Sequence, residues 1–251
     1  MKLRQRFFIF ALIGSSPLLI VLPACSSMTD NLPLIQETSH ARFYSPNEHA
    51  VNSVASLAET FEANYNRLIG LFPYEAKDKT IIHVYTDRDA YQAMIGRDTE
   101  GTYDARDGII KVYTPADLSD EIIRHNFNEQ IIHEFVHLLI QQINPEVGHL
   151  KWLDEGIAYY AAGQLEEEMQ SKTSYFDIPT FEQFADHDYF NKAHGAAYFY
   201  SGLMVKYIVD TYGIVTLNDM IRQPEQAHIQ QLLTMPIDQF FKTWHDAMLS
   251  K

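Results

Sequence analysis

The sequence is short of cysteine and of positive charge. Cys25 is the only cysteine among the 251 residues, so no disulfide can form within the chain and a zinc site closed by thiolates is excluded. Lysine and arginine together number 19, against 33 aspartates and glutamates, which gives a net charge of −14 at pH 7. A surface of this charge repels nucleic acid and anionic lipid, so we expect no nucleic-acid partner.

Long uninterrupted apolar runs are also missing. The longest, residues 7–22, is broken by glycine, serine and proline, and it falls short of the ~20 apolar residues that a membrane-spanning helix needs. It follows the positive charges of Lys2, Arg4 and Arg6, and a basic start before a short apolar core is typical of a secretory signal peptide. We therefore predict that residues 1–24 are a signal peptide.

The end of this segment resembles the lipobox of bacterial lipoproteins. Leu22 and Ala24 match it, Pro23 is a less usual occupant, and Cys25 would be the acylated residue. The alternative is an ordinary signal peptide that contains a cysteine. The resemblance implies a lipid-anchored protein of the cell envelope. Ser26, directly after the cysteine, resembles the signal that directs lipoproteins to the outer membrane. If the bacterium is Gram-negative, we therefore expect the protein on the outer membrane, facing the periplasm.

The rest of the chain divides into a tether over residues 25–39 and a domain over residues 40–251. β-rich runs predict strands at 41–45, 80–85 and 109–113. Apolar residues at helical spacing predict a helix at 47–71. Asp87 as cap and Gly96 as stop delimit a helix at 87–95, residues 101–104 and 106–108 bracket a turn before the last strand, and Ser119 can cap a helix at 119–142. Further helices are predicted at 152–164, 192–212, 215–221 and 237–249. Strands are confined to the first half, so we predict an α+β fold with an amino-terminal mixed sheet followed by an all-helical half.

Two histidines in one predicted helix indicate a metal site. His133 and His137 are four residues apart, so both imidazoles lie on one face of the helix and can reach one ion. Glu134 lies beside the first histidine, where it can hold a water molecule whose pKa zinc lowers, and accept its proton. Glu155 follows eighteen positions after His137 and can supply the third protein ligand of a catalytic zinc site.

These residues resemble a known family. His-Glu-x-x-His followed by Trp-Leu-x-Glu-Gly-x-Ala-x-Tyr at 152–160 is similar to the gluzincin metallopeptidases, most closely the bacterial peptidase MA-like domains. The resemblance implies a thermolysin-like fold, Zn²⁺ held by His133, His137 and Glu155, and Glu134 as general base. It also implies that the helix containing Tyr198 faces the metal, with Tyr198 stabilising the oxyanion; Tyr200 and His194 are alternatives for that role.

Other polar residues have weaker assignments. Asp154 either orients a ligand or is simply solvated. The remaining histidines have no partners at ligand spacing, and the glutamates at 166–168 read as a solvated helix end or loop. In thermolysin-like enzymes the substrate pairs with an edge strand, which would here be residues 109–113.

The expected activity is hydrolysis of peptide bonds in a peptide or protein substrate. No Gly-x-Met-x-Asn segment is present, and its absence favours an endopeptidase over an aminopeptidase. One alternative is a catalytically silent lipoprotein of the same fold that acts in binding or scaffolding. Another is zinc-dependent hydrolysis of a non-peptide amide or ester.

Overall fold

A computed structural model describes residues 32–74, 76–172, 177–186, 188–193 and 195–249. The predicted signal peptide, Cys25 and the alternative oxyanion residue His194 lie outside these ranges. Within them, no helix has both the length and the apolar character needed to cross a bilayer.

The amino-terminal half contains a five-stranded mixed sheet. Its strands are β1 (Leu34–Glu37), β2 (Ala41–Tyr44), β3 (Thr80–Tyr85), β4 (Gly101–Asp104) and β5 (Ile109–Tyr113). The spatial order is β1-β2-β3-β5-β4, with β2, β3 and β5 parallel and the two outer strands antiparallel to their neighbours. β1 therefore brings residues 34–37, assigned above to the tether, into the sheet.

Helices make up most of the rest of the described chain. They are α1 (Val51–Leu71), α2 (Arg88–Ile95), α3 (Glu121–Ile143), α4 (Lys151–Ala162), α5 (Gln164–Ser171), α6 (Phe181–Ala185), α7 (Tyr189–Ala193), α8 (Gly195–Tyr212), α9 (Ile214–Arg222), α10 (Gln226–Leu233) and α11 (Ile237–Leu249), with a 3₁₀ turn at Pro145–His149. An α+β half followed by helices alone is the predicted fold class.

The sheet positions the helix that contains the two histidines. Phe135 of α3 packs against Phe61 of α1 with ring centroids 4.5 Å apart, and Phe61 meets Phe43 of β2 edge-on. All three rings are fully buried, which fixes α3 against the sheet and gives its polar residues defined positions. Asp120, rather than the expected Ser119, caps α3, because its carboxylate accepts from the backbone N–H groups of residues 122 and 123.

A glycine lets α4 and α8 approach closely. A Cβ on Gly156 would lie 2.6 Å from the carbonyl oxygen of Ser201, so only glycine fits this contact. Gly163, at φ 99°, then ends α4 and begins α5. The helix predicted over 152–164 therefore corresponds to α4, whereas α5 was not predicted.

Candidate metal centre

Three predicted ligands converge in the interior. The Nε2 atoms of His133 and His137 lie 3.1 Å apart, and Glu155 Oε2 lies 3.3 Å and 3.2 Å from them, respectively. All three side chains are buried, and their ligand atoms fall within 4.8 Å of one another. Two imidazoles and one carboxylate are the donor set of many catalytic zinc sites, so this group fits a zinc ion.

Two neighbouring side chains orient the histidines. His137 Nδ1 lies 2.9 Å from Asp154 Oδ1, and His133 Nδ1 lies 2.8 Å from Gln164 Oε1. Both partners are acceptors, so each Nδ1 bears the proton and each Nε2 directs its lone pair toward the metal position. Asp154 is 1% exposed, which contradicts the alternative that it is simply solvated. Gln164 was not among the predicted site residues, since nothing in the sequence links it to a histidine 31 positions earlier.

The electrostatics of the ligand group favour a cation. Burial opposes charge on His137, but Asp154 and Glu155 outweigh it and raise the pKa of His137 well above its ordinary value. Burial likewise opposes charge on Glu155, but His137 and His133 outweigh it and hold the pKa of Glu155 well below its usual range. The buried carboxylates thus draw positive charge onto the imidazoles, and a divalent cation at the same place would supply that charge instead.

Glu134 lies directly beside the ligands. It is 4% exposed, and burial raises its pKa despite the opposing influence of His137 and His133. Gln130 donates to its Oε1 over 2.6 Å, and the backbone of Gly101 on β4 packs against it. A raised pKa makes Glu134 a better proton acceptor than a solvated glutamate.

Of the tyrosines considered for the oxyanion, Tyr198 borders the cleft. Its ring centroid is 6.4 Å from that of His133, and it lines the cavity that also contains the ligands and Glu134. Burial, followed by the charge of Glu155, raises the pKa of Tyr198 to about 12, so the hydroxyl stays protonated and can donate. Tyr200 instead packs in the core near Trp244, with ring centroids 6.5 Å apart.

The cleft has a volume of about 300 Å³ and is bordered by β4. The expectation that residues 109–113 form the edge strand is wrong, because β5 pairs with β3 on one side and with β4 on the other. β4, which the sequence suggested was part of a turn, is the last strand of the described sheet. Its outer edge is therefore available to pair with an extended segment.

A second cluster lies two turns earlier on α3. His125 Nε2 is 2.9 Å from Glu167 Oε2 and 3.6 Å from Glu129 Oε1. The expectation that His125 has no partner at ligand spacing is wrong, and Glu129, four positions after it, was a visible signal in the sequence. The glutamates at 166–168 belong to α5, where Glu168 pairs with Lys172.

The part of the chain that contains this centre is similar to a known protein family. Residues 121–231 match the Peptidase MA superfamily. The matched segment runs from the start of α3 into α10 and includes His133, Glu134, His137, Glu155 and Tyr198. The match supports a metallopeptidase-like domain, in a superfamily that is generally zinc-dependent. No curated protein matches the chain.

Proposed function

We propose that this protein is a lipid-anchored, zinc-dependent endopeptidase of the cell envelope. The observation that carries the proposal is the buried group His133, His137 and Glu155 with buried Glu134 beside it, all opening into one cleft. A purely structural metal site has no use for a buried carboxylate next to its ligands. The arrangement therefore favours catalysis over the alternative of a silent binding or scaffold protein.

The cleft also suggests the kind of substrate. The outer edge of β4 offers backbone N–H and C=O groups to an extended chain, and Gly101 brings that backbone against Glu134. A peptide can pair along such an edge, whereas a small ester or amide cannot use it. The edge therefore favours peptide bonds over the non-peptide alternative.

Each residue of the site has a distinct role in the proposed hydrolysis. His133, His137 and Glu155 would hold zinc, which as a Lewis acid polarises the scissile carbonyl group and the attacking water. Glu134 accepts the proton of that water and passes it to the departing amine. The protonated hydroxyl of Tyr198 donates to the oxyanion. Asp154 and Gln164 keep the histidine rings in the required orientation.

The decisive experiment compares wild type with Glu134→Gln, expressed without residues 1–25. Bound metal is measured by elemental analysis, and cleavage is measured on an unstructured protein substrate. We expect about one zinc per chain in both proteins and loss of cleavage in the variant by at least ~10²-fold, the low end for a general base. Glu121→Gln, an exposed change on the same helix, is the matched control and should remain active.

The possible outcomes separate the candidate functions. Zinc in both proteins with equal cleavage would exclude Glu134 as the base. Zinc without cleavage of any substrate would favour the binding-protein alternative, and absence of zinc would refute the metal centre.

The lipid anchor has its own test. We expect the full chain made in bacteria to partition with membranes and to incorporate radiolabelled palmitate, whereas Cys25→Ser should do neither. Palmitate incorporation by Cys25→Ser would exclude Cys25 as the acylation site.

A further inference from the structure

Arg97 is a cation at the rim of the cleft that forms no ion pair within the part of the chain that the structure describes. It lies in the loop between α2 and β4, lines the cavity, and donates from Nη2 to Thr102 Oγ1 over 3.0 Å. Across the described ranges, no carboxylate oxygen lies within 4.0 Å of its guanidinium group. Its side chain is exposed, so it is free to meet an incoming molecule.

The other cations nearby already have acidic partners. Arg88 on α2 lies 3.6 Å from Asp98 and 3.7 Å from Glu100. Lys151, which also lines the cleft, lies 3.4 Å from Glu155 and 3.8 Å from Asp154. In a chain with 33 acidic residues and 19 basic ones, an exposed arginine at the mouth of the cleft that has no ion-pair partner among the described residues is available to a carboxylate from outside.

The position of Arg97 relative to β4 defines what it can reach. Gly101 and Tyr103 face α3, since a Cβ on Gly101 would touch Glu134 and the Tyr103 hydroxyl accepts from Gln142. Thr102 points to the opposite face of the strand and holds Arg97 there. The side chains of a peptide paired with the edge of β4 alternate between the two faces in the same way, so every second side chain lies on the same face as Arg97.

We propose that Arg97 binds a carboxylate of the substrate, and that the protein selects peptides with a carboxylate close to the scissile bond. This rests on the proposed function, since the carboxylate is recognised on a peptide lying along β4. A guanidinium group can donate two parallel hydrogen bonds to one carboxylate. Because both bonds require a fixed orientation, the pairing is specific for a carboxylate at a defined position. The carboxylate belongs either to an aspartate or glutamate side chain or to the free carboxyl terminus of a peptide.

Binding to an inactive protein tests the proposal independently of turnover. The full chain with Glu134→Gln, purified in detergent and loaded with zinc, is titrated with fluorescent peptides that differ only by aspartate or asparagine at successive positions. Each peptide is made with a free and an amidated carboxyl terminus. We expect at least ~10-fold tighter binding of one acidic peptide over its neutral partner, the scale of a hydrogen bond between charged groups.

Variants of the arginine then assign the preference. Arg97→Gln in the same background should bring the acid-to-neutral ratio close to one and leave binding of the neutral peptide and the zinc content unchanged. Arg97→Lys should restore part of the ratio, because it restores charge without the paired hydrogen bonds. Arg222→Gln, which removes an equal charge from an exposed pair with Asp219 on α9, should keep the full ratio, since Arg222 does not line the cleft.

Every outcome bears on the proposal. A preference for internal aspartate identifies side-chain recognition, and a preference for the free terminus identifies terminal recognition. Equal binding of acidic and neutral peptides, or a ratio unchanged by Arg97→Gln, would overturn the proposal. If the active protein cleaves nothing while the Arg97-dependent preference persists, the proposed hydrolysis fails and carboxylate recognition stands.

Discussion

At the scale of single residues, the candidate base depends on an unusually close contact. Gly101 of β4 leaves just enough space for the paired side chains of Gln130 and Glu134. A Cβ at this position would lie 2.5 Å from Glu134 Oε1 and 2.6 Å from Gln130 Nε2. These distances are shorter than van der Waals contact, so any larger residue must displace the carboxylate.

We therefore predict that Gly101→Ala lowers kcat by ~10-fold or more with little change in zinc content or thermal stability, because a catalytic group shifted by about 1 Å loses its alignment. Steady-state kinetics, elemental analysis and a thermal melt measure the three quantities. Gly70→Ala, where nothing lies within 4 Å of the new Cβ, is the control. Unaltered kcat in Gly101→Ala would show that Glu134 tolerates displacement.

A second residue-scale prediction concerns Asp154. Asp154→Asn preserves size but replaces the charged acceptor of His137 Nδ1, so we expect zinc affinity to fall by about 10- to 100-fold. Competition with a chelator of known affinity measures the change. Asp219→Asn, at an exposed pair with Arg222, should bind zinc like wild type. Equal affinity in Asp154→Asn would mean that the histidine needs no anionic partner.

At the scale of elements, the contact between α4 and α8 connects a metal ligand to the proposed oxyanion donor. Glu155 is on α4 and Tyr198 is on α8, and Gly156 lies at the place where the two helices touch. The separation of these helices therefore sets both the position of the ligand and the wall of the cleft.

Gly156→Ala should lower the free energy of unfolding by about 1–3 kcal/mol, because the added methyl group overpacks the contact. Its Cβ would lie 2.6 Å from the Ser201 oxygen and 2.9 Å from Val205 Cγ2. We also expect lower activity per bound zinc, since α8 must move away from α4. Chemical denaturation and metal-normalised kinetics measure both effects, and a variant as stable and active as wild type would contradict the described packing.

The sequence predicted helices and strands best where a clear pattern, such as the spacing of apolar residues, extends over several turns. α1 and α11 have apolar residues at helical spacing over several turns, and Asp87 and Gly96 delimit α2 by cap and stop as expected. β4 was missed because it has only four residues, two of them polar on the face away from α3. α6 and α7, with five residues each, are shorter than the window in which a helical period becomes visible.

The metal centre, too, was predictable from the sequence where its residues belong to local patterns. His133, Glu134 and His137 belong to one local pattern, and Glu155 follows in a recognisable motif, so their convergence was predictable. The edge strand was not predictable, because β4 pairs with β5 on the side away from β3, and no local signal in the sequence determines this strand order. Gln164 and Arg97 act through single contacts made by the tertiary fold, so the sequence did not reveal them.

At the scale of the whole molecule, the cluster of His125, Glu129 and Glu167 makes stability depend on pH. Burial, followed by the contact with Glu167, raises the pKa of Glu129 to about 7, and Glu167 raises that of His125. The folded state thus holds more protons at these two groups than the unfolded state does. The contribution of Glu129 is present in full below about pH 4.5 and is lost as pH rises through about 7, whereas that of His125 is lost as pH rises from about 6.5 through its raised pKa.

We predict that the melting temperature of wild type relative to Glu129→Gln falls between pH 5 and pH 7.5, because the glutamine cannot ionise. The lowered pKa of Glu167 acts at more acidic pH, where its stabilising charge is lost. Thermal melts of both proteins with equal chelator across this range provide the test. A constant difference in melting temperature would show that Glu129 titrates normally.

The residues of the proposed metal centre also lie close together along the chain. Gln130, the three ligands, Asp154 and Gln164 all fall between residues 130 and 164, whereas Tyr198 arrives later on α8. Contacts that close short loops form early in folding because they cost less chain entropy. A chain that folds in this order would complete the proposed zinc site before its proposed oxyanion donor is in place. We therefore expect the nascent protein to acquire its metal first and its ability to cut peptides only when the carboxy-terminal helices have docked.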